Sequence, residues 1–98
     1  MRIEVLDAAE RDIEDGYFFY ERQSPGLGSY FLDSIYSDID SLIYFGGIHI
    51  EIQKFHRLLS KRFPFSIYYK IDEDIVKILA ILDNRRHPSW IRKRLTLN

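Results

Sequence analysis

The chain predicts an α+β domain in which a two-helix hairpin packs on one face of a small, mainly antiparallel sheet, in the order β-α-α-β-β-β with a short C-terminal segment. Three patterns within the 98 residues carry that prediction. Apolar residues recur every three or four positions through 9–20 and 27–42, the period of helices with one buried stripe. They alternate through 65–71, the period of a strand with one covered face. Through 75–82 every residue except Lys77 is apolar, the composition of a central strand covered on both sides.

Residues 2–6 are β-branched and apolar enough for a first strand. Asp7 is placed to cap the helix that follows, its carboxylate accepting first-turn amides while Glu10 completes a capping-box-like pair. Ala9, Ile13, Tyr17 and Tyr20 form that helix's apolar stripe, Glu10, Asp12, Glu14 and Asp15 make its other face acidic, and Gly16 weakens its interior slightly. Ser24-Pro25 reads as the start of the second helix, serine as cap and proline at the first position. Leu27, Phe31, Ile35, Ile39 and Leu42 make its stripe, and Gly46-Gly47 ends it after about Phe45. Residues 55–60 then read as a strand, which the alternation of Ile48, Ile50 and Ile52 allows to begin earlier. Lys61-Arg62-Phe63-Pro64 turns into the next strand, where Phe65, Ile67, Tyr69 and Ile71 share a face, and Asp72-Glu73-Asp74 is a tight hairpin turn into the central strand. The opposite face of the sheet, with Ser66, Tyr68, Lys70 and Lys77, is more polar and is expected to meet a ligand or partner. Pro88 opens an ordered C-terminal turn, and Trp90 anchors the tail back onto the sheet. No repeat, low-complexity segment or linker interrupts residues 1–98, which read as one domain.

Composition narrows the functional classes. With 46% apolar and 15% aromatic residues the chain can build one core. It has no cysteine, which excludes a disulfide framework and a thiolate nucleophile and suits a reducing cytoplasm. The N-terminus lacks a signal-peptide pattern and nothing approaches the ~20 apolar residues of a membrane span, so a soluble cytoplasmic protein with no membrane partner is expected. His49, His56 and His87 are scattered with no i, i+4 pair, which argues against a metal site. The PGLG turn at 25–28 lacks the lysine and preceding strand of a phosphate loop, so no cofactor is expected.

The net charge of −1 hides a polarised chain, because residues 57–98 hold ten Lys/Arg against four Asp/Glu, leaving −7 on the first 56 residues. Charge of one sign concentrated on a small scaffold focuses field toward an anionic partner. Arg85 and Arg86 end the central strand, where they either bind anionic groups in bidentate fashion or pair with acids such as Asp83. Arg92, Lys93 and Arg94 extend the basic end. His87 is of the residue type suited to proton transfer but has no second acid or base at a recognisable spacing, which reads as an ordinary turn residue. Phe18, Phe19, Tyr30 and Tyr36 exceed what one helical stripe can bury and predict a patch for another chain.

The PGLG turn at 25–28 with its aromatic-rich helix, the run KRFPFSIYYKI at 61–71 and the ending ILAILDNRRHPSWIRKRL at 78–95 together resemble the RelE/ParE superfamily, toxins of type II toxin–antitoxin modules. Within it the resemblance is to the ParE-like, plasmid-stabilisation branch. It implies a toxin neutralised by a cognate antitoxin whose disordered tail folds across it, in a homo- or hetero-oligomer, with Phe18, Phe19, Tyr30 and Tyr36 as the antitoxin-binding patch. For the ParE-like branch it implies inhibition of DNA gyrase, with Arg85, Arg86, Trp90, Arg92 and Lys93 meeting the target. For the RelE-like branch it implies a ribosome-dependent messenger RNA endoribonuclease using Arg57, Lys61, Arg62, Arg85, Arg86 and His87. A third possibility is a non-toxic homologue that only binds the antitoxin. Two departures weigh against the nuclease: Ser66 stands where RelE-like enzymes often carry an arginine, and no tyrosine follows Tyr69, the C-terminal aromatic being Trp90.

Overall fold

The computed structural model describes residues 1–96 and contains a five-stranded sheet covered by helices on both faces. In chain order the elements are β1 (Arg2–Val5), α1 (Asp7–Gln23), α2 (Leu27–Asp40), α3 (Leu42–Phe45), β2 (Glu51–Ile52), β3 (Phe55–Leu59), β4 (Phe65–Asp72), β5 (Ile75–Asp83) and α4 (Pro88–Thr96). The strands lie in the order β1-β5-β4-β3-β2. All neighbours are antiparallel except β1, which runs parallel to β5. The α+β class and the hairpin on the sheet are as the sequence predicts, and the continuously apolar segment is β5, an interior strand between β1 and β4.

The helix starts differ from the sequence reading. Asp7 is the first residue of α1, and the cap position belongs to Leu6, which has extended backbone and no side-chain cap. Leu6 continues the strand, its amide donating to the Ile78 carbonyl at 3.0 Å, so the chain passes from sheet to helix with no residue to spare for a capping side chain. Asp7 and Glu10 still act on the helix dipole from the first turn. Likewise α2 begins at Leu27 rather than at Ser24-Pro25, because Gly26 adopts φ 90° and the cap comes from the other helix. The Glu21 carboxylate accepts the amides of Gly26 at 3.0 Å and Gly28 at 2.9 Å, satisfying donors that a local serine would otherwise serve.

The principal core lies between hairpin and sheet and contains Ala9, Ile13, Tyr20, Phe31, Ile35, Ile39 and Leu42 against Phe65, Ile67, Tyr69, Val76, Ile78 and Ile81. Gly16 replaces Tyr17 in the buried stripe: a Cβ at Gly16 would stand 2.5 Å from Cζ of Phe31, so its missing side chain is the space the Phe31 ring fills.

The face expected to be open is largely covered. Tyr68, Ala80, Leu82 and Leu95 form a second core with Phe55, Trp90 and Ile91 packed against it, because the C-terminal segment is an amphipathic helix lying across that face. Ser66 is fully buried and its hydroxyl pairs with Asn84 Oδ1, while Lys70 stays exposed. Trp90 packs the tail on the sheet as the sequence suggests.

The region before β3 is also more elaborate than a single early strand. β2 is a separate two-residue edge strand joined to β3 by Gln53 and Lys54, both at positive φ, 51° and 75°. Ile48 and Ile50 are exposed, at 74% and 65%, so their alternation with Ile52 is not that of a buried face. Among the described residues no helix is long and apolar enough to cross a membrane.

Candidate functional site

The loops at one end of the sheet gather Lys61, Arg62, Arg85 and Arg86. The β3–β4 turn carries Lys61 and Arg62 and lies beside the β5–α4 junction, where the Asn84 amide donates to the Pro64 carbonyl at 2.8 Å. Arg85 and Arg86 follow at the same end. Asp38, buried on α2, holds the turn from below by accepting the Ser60 hydroxyl at 2.8 Å. Arg57 sits further along β3, opposite Tyr68, and Arg92 and Lys93 are exposed on α4. Lys70 and Lys77 are carried to the far end, where Lys77 pairs with Asp72 at 3.1 Å. That end also holds Asp72, Glu73 and Asp74, so the cations are divided between two ends while the positive surplus stays away from the β4–β5 turn.

Within this cluster the arginines differ in how they are held. Arg85 grips Asp83 with two bonds, Nε to Oδ1 at 3.0 Å and Nη2 to Oδ2 at 2.7 Å. Those hydrogen bonds hold the Asp83 carboxyl below its usual range, and the same pairing raises Arg85. Arg86 instead lies over the Trp90 ring, 4.3 Å from its centroid, with the Arg94 guanidinium 5.6 Å away from the same ring. Arg94 also bonds Asp12 at 2.8 Å, and that carboxylate accepts the Ile81 amide at 3.0 Å. Asp12, read from the sequence as one acid of a solvated face, therefore ties α1, β5 and α4 together; only tertiary contact reveals it.

His87 has a structural task. Its Nδ1 accepts the Ser89 amide at 3.1 Å, capping the first turn of α4, and its carbonyl accepts the Trp90 amide at 2.9 Å. The other two histidines lie elsewhere, around Tyr69 in the core. The Tyr69 hydroxyl accepts the Gly47 amide at 3.0 Å and pairs with His49 Nδ1, while the His56 ring stacks on Tyr69 at 5.0 Å. Burial lowers the pKa of His49 and raises that of Tyr69. This network fixes the segment entering β2 and is not joined to the basic end.

The aromatic residues left over from the helical stripes are on the surface: Phe18, Phe19, Tyr30 and Tyr36 are 50%, 44%, 48% and 41% exposed. They do not make one continuous patch. Phe18 and Tyr36 border a mostly apolar groove of about 330 Å³ between α1 and α2, floored by Ile13 and Leu32. Phe18 and Phe19 border a second groove of about 580 Å³ that also includes Asp12, Arg22, Arg86 and Trp90. Tyr30 stands apart, its ring 5.5 Å from that of Phe63. The sequence reading missed another apolar group at the opposite end, where Tyr44, Phe45, Ile48 and Ile50 are all more than half exposed. Its one legible signal was the apolar run on both sides of Gly46-Gly47.

No family model matches the chain, and no curated protein does. Among solved structures, a chain titled "Chromosomal ParDE TA system from P. aeruginosa" superimposes with a TM-score of 0.73 at 21% identity, covering 83% of this chain and 92% of that one. The superposition takes in most of the sheet and helices described above. The chain therefore carries the α+β fold found in a ParDE toxin–antitoxin system, the architecture its motifs resemble.

Proposed function

We propose that this chain is the toxin of a type II toxin–antitoxin module, a ParE-like inhibitor of DNA gyrase that acts in the cytoplasm and is neutralised by a cognate antitoxin. The observation that carries the reading is the fold shared with the ParDE component over most of both chains, together with half-exposed aromatics on the helical hairpin. Phe18, Phe19 and Tyr36 border grooves that a partner segment can fill, and Tyr30 adds an exposed ring beside Phe63. Arg85, Arg86, Trp90, Arg92 and Lys93 form the target-facing surface in this reading. The chemistry at that surface supports adhesion over proton transfer: Arg85 is tied to Asp83, Arg86 to an indole face, and Nδ1 of His87 to a helix cap. Arg57, Lys61 and Arg62 supply cations, but the histidines nearest them are already engaged: His56 pairs its Nδ1 with the His49 carbonyl at 2.8 Å and stacks on Tyr69, and His87 caps α4.

Induction of the protein alone is expected to arrest bacterial growth, and co-expression of the small gene in the adjacent reading frame to restore it. Purified protein is expected to block gyrase supercoiling or trap cleaved DNA. Codon-positioned cuts in messenger RNA on ribosomes, abolished by His87→Ala, would make the endoribonuclease the better account. Normal growth with soluble, folded protein would leave a non-toxic antitoxin-binding homologue.

A further inference from the structure

The groove of about 580 Å³ follows the edge of β5 between α1 and α4, and its origin is topological. β1 pairs only with residues 75–78, so residues 79–83 of β5 have no strand on that side. The chain leaves β1 directly into α1, and α4 folds back from the other side, so two helices flank an edge that no strand covers. Asp12 closes one point of it by accepting the Ile81 amide. The remainder is a trough with Phe18 and Phe19 on one wall and Trp90 on the other.

Its charges are unevenly matched. Asp12 is engaged by Arg94 and Asp83 by Arg85. Arg22 and Arg86 also line the groove, and among the described residues neither has a carboxylate at ion-pair distance. A ligand that brings separate carboxylates to these two guanidiniums, with apolar side chains between and beside them, complements both the charge and the aromatic walls.

We propose that this groove binds an acidic segment of the antitoxin, with carboxylates on Arg22 and Arg86 and flanking apolar side chains against Phe19 and Trp90, as a site separate from the α1–α2 groove around Tyr36. The inference rests on the toxin–antitoxin reading above. A peptide fits better than a nucleic acid, because Asp12, Asp15 and Asp83 line the same groove and oppose a continuous phosphate backbone. A peptide can space its carboxylates to avoid them.

The test is calorimetric titration of the full chain with the product of the adjacent small reading frame, and with peptides of about 15 residues tiled across it, whose extended reach of ~50 Å exceeds the 40 Å length of the molecule. At least one acidic peptide should bind, more weakly as salt is raised. Arg22→Glu and Arg86→Glu should each weaken it roughly tenfold, as reversal of an interfacial charge does. Arg86→Gln should weaken it less, and Lys70→Glu, far from the groove, should change nothing. Circular dichroism and a melting curve on each variant establish that it folds. If the full product binds and loses affinity with Tyr36→Ala but is indifferent to both charge reversals, the groove proposal falls while the antitoxin reading stands. If the product does not bind at all, both fall. Tight binding of a short DNA or RNA duplex abolished by Arg86→Glu, or self-association abolished by the same change, would assign the groove to a nucleic acid or to a second copy and overturn the proposal.

Discussion

Gly16→Ala should destabilise this protein although alanine is the better helix former. In an exposed helix the change gains about 1 kcal/mol. Here the new Cβ would lie 2.5 Å from Cζ and 2.6 Å from Cε2 of Phe31, against about 3.4 Å for an ordinary contact, so the ring must retreat by roughly 0.9 Å. It has nowhere to go. Phe31 is fully buried, with the rings of Tyr20, Phe63 and Phe65 centred 5.2, 5.1 and 5.1 Å from its own. Overpacking of a close-packed site costs about 1–3 kcal/mol, and a ring hemmed in on three sides places this case at the upper end. The net expectation is a loss of about 2 kcal/mol, or a melting temperature lower by roughly 10 °C for a chain of this size. Urea titration should show the midpoint falling with an unchanged slope, since no additional surface is exposed on unfolding. In the double variant with Phe31→Leu the two costs should fall short of adding by about 1 kcal/mol, because the smaller side chain vacates the space the methyl needs. A rise in melting temperature for Gly16→Ala, or strict additivity with Phe31→Leu, would refute the claim that the helices meet through that ring.

Other consequences follow from the groups that join the elements. The Arg85 hydrogen bonds keep the folded Asp83 pKa below its value of about 3.8 in the unfolded chain. Their stabilisation is therefore present above pH 3.8 and lost as pH falls through the lower folded value, so Asp83→Asn should flatten the steepest acid part of a stability-versus-pH curve. His49 is held below 6.5 by burial, so it stabilises fully above that pH and loses its contribution as acid forces a proton onto it. His49→Gln should remove this slope in the same denaturation series. Asp12→Ala deprives the Ile81 amide of its acceptor and Arg94 of a carboxylate, at a cost of about 2 kcal/mol, and amide exchange should rise at Ile81 and along α4. If the proposed toxin reading holds, Arg85→Ala with Arg86→Ala should abolish growth arrest in a growth assay, while His87→Asn, which keeps a capping side chain, should retain it.

How much was legible in the sequence follows from which forces are local. The period of Leu27, Phe31, Ile35 and Ile39 marks a helix because its side chains recur on one face whatever they meet, and the unbroken apolar run ending at Leu82 marks a strand with neighbours on both sides. The surplus of Phe18, Phe19, Tyr30 and Tyr36 over one buried stripe was likewise countable from spacing, and all four are exposed. What spacing could not supply was any contact between distant segments. The cap of α2 is a glutamate on α1, five residues before the first amide it binds, and no local capping rule finds it. Asp12 looked like one of four surface acids until the fold set it beside Ile81 and Arg94, 69 and 82 residues away. The face carrying Ser66 and Tyr68 reads as polar, yet α4 covers it, because whether a strand face is buried depends on what another element lays over it. The cations at residues 57–98 are consecutive in a charge count but belong to two ends of a sheet, since antiparallel strands carry neighbouring residues in opposite directions. Periodicity is a property of one segment, whereas burial, capping and charge pairing belong to pairs of segments, and only the tertiary structure decides those pairs.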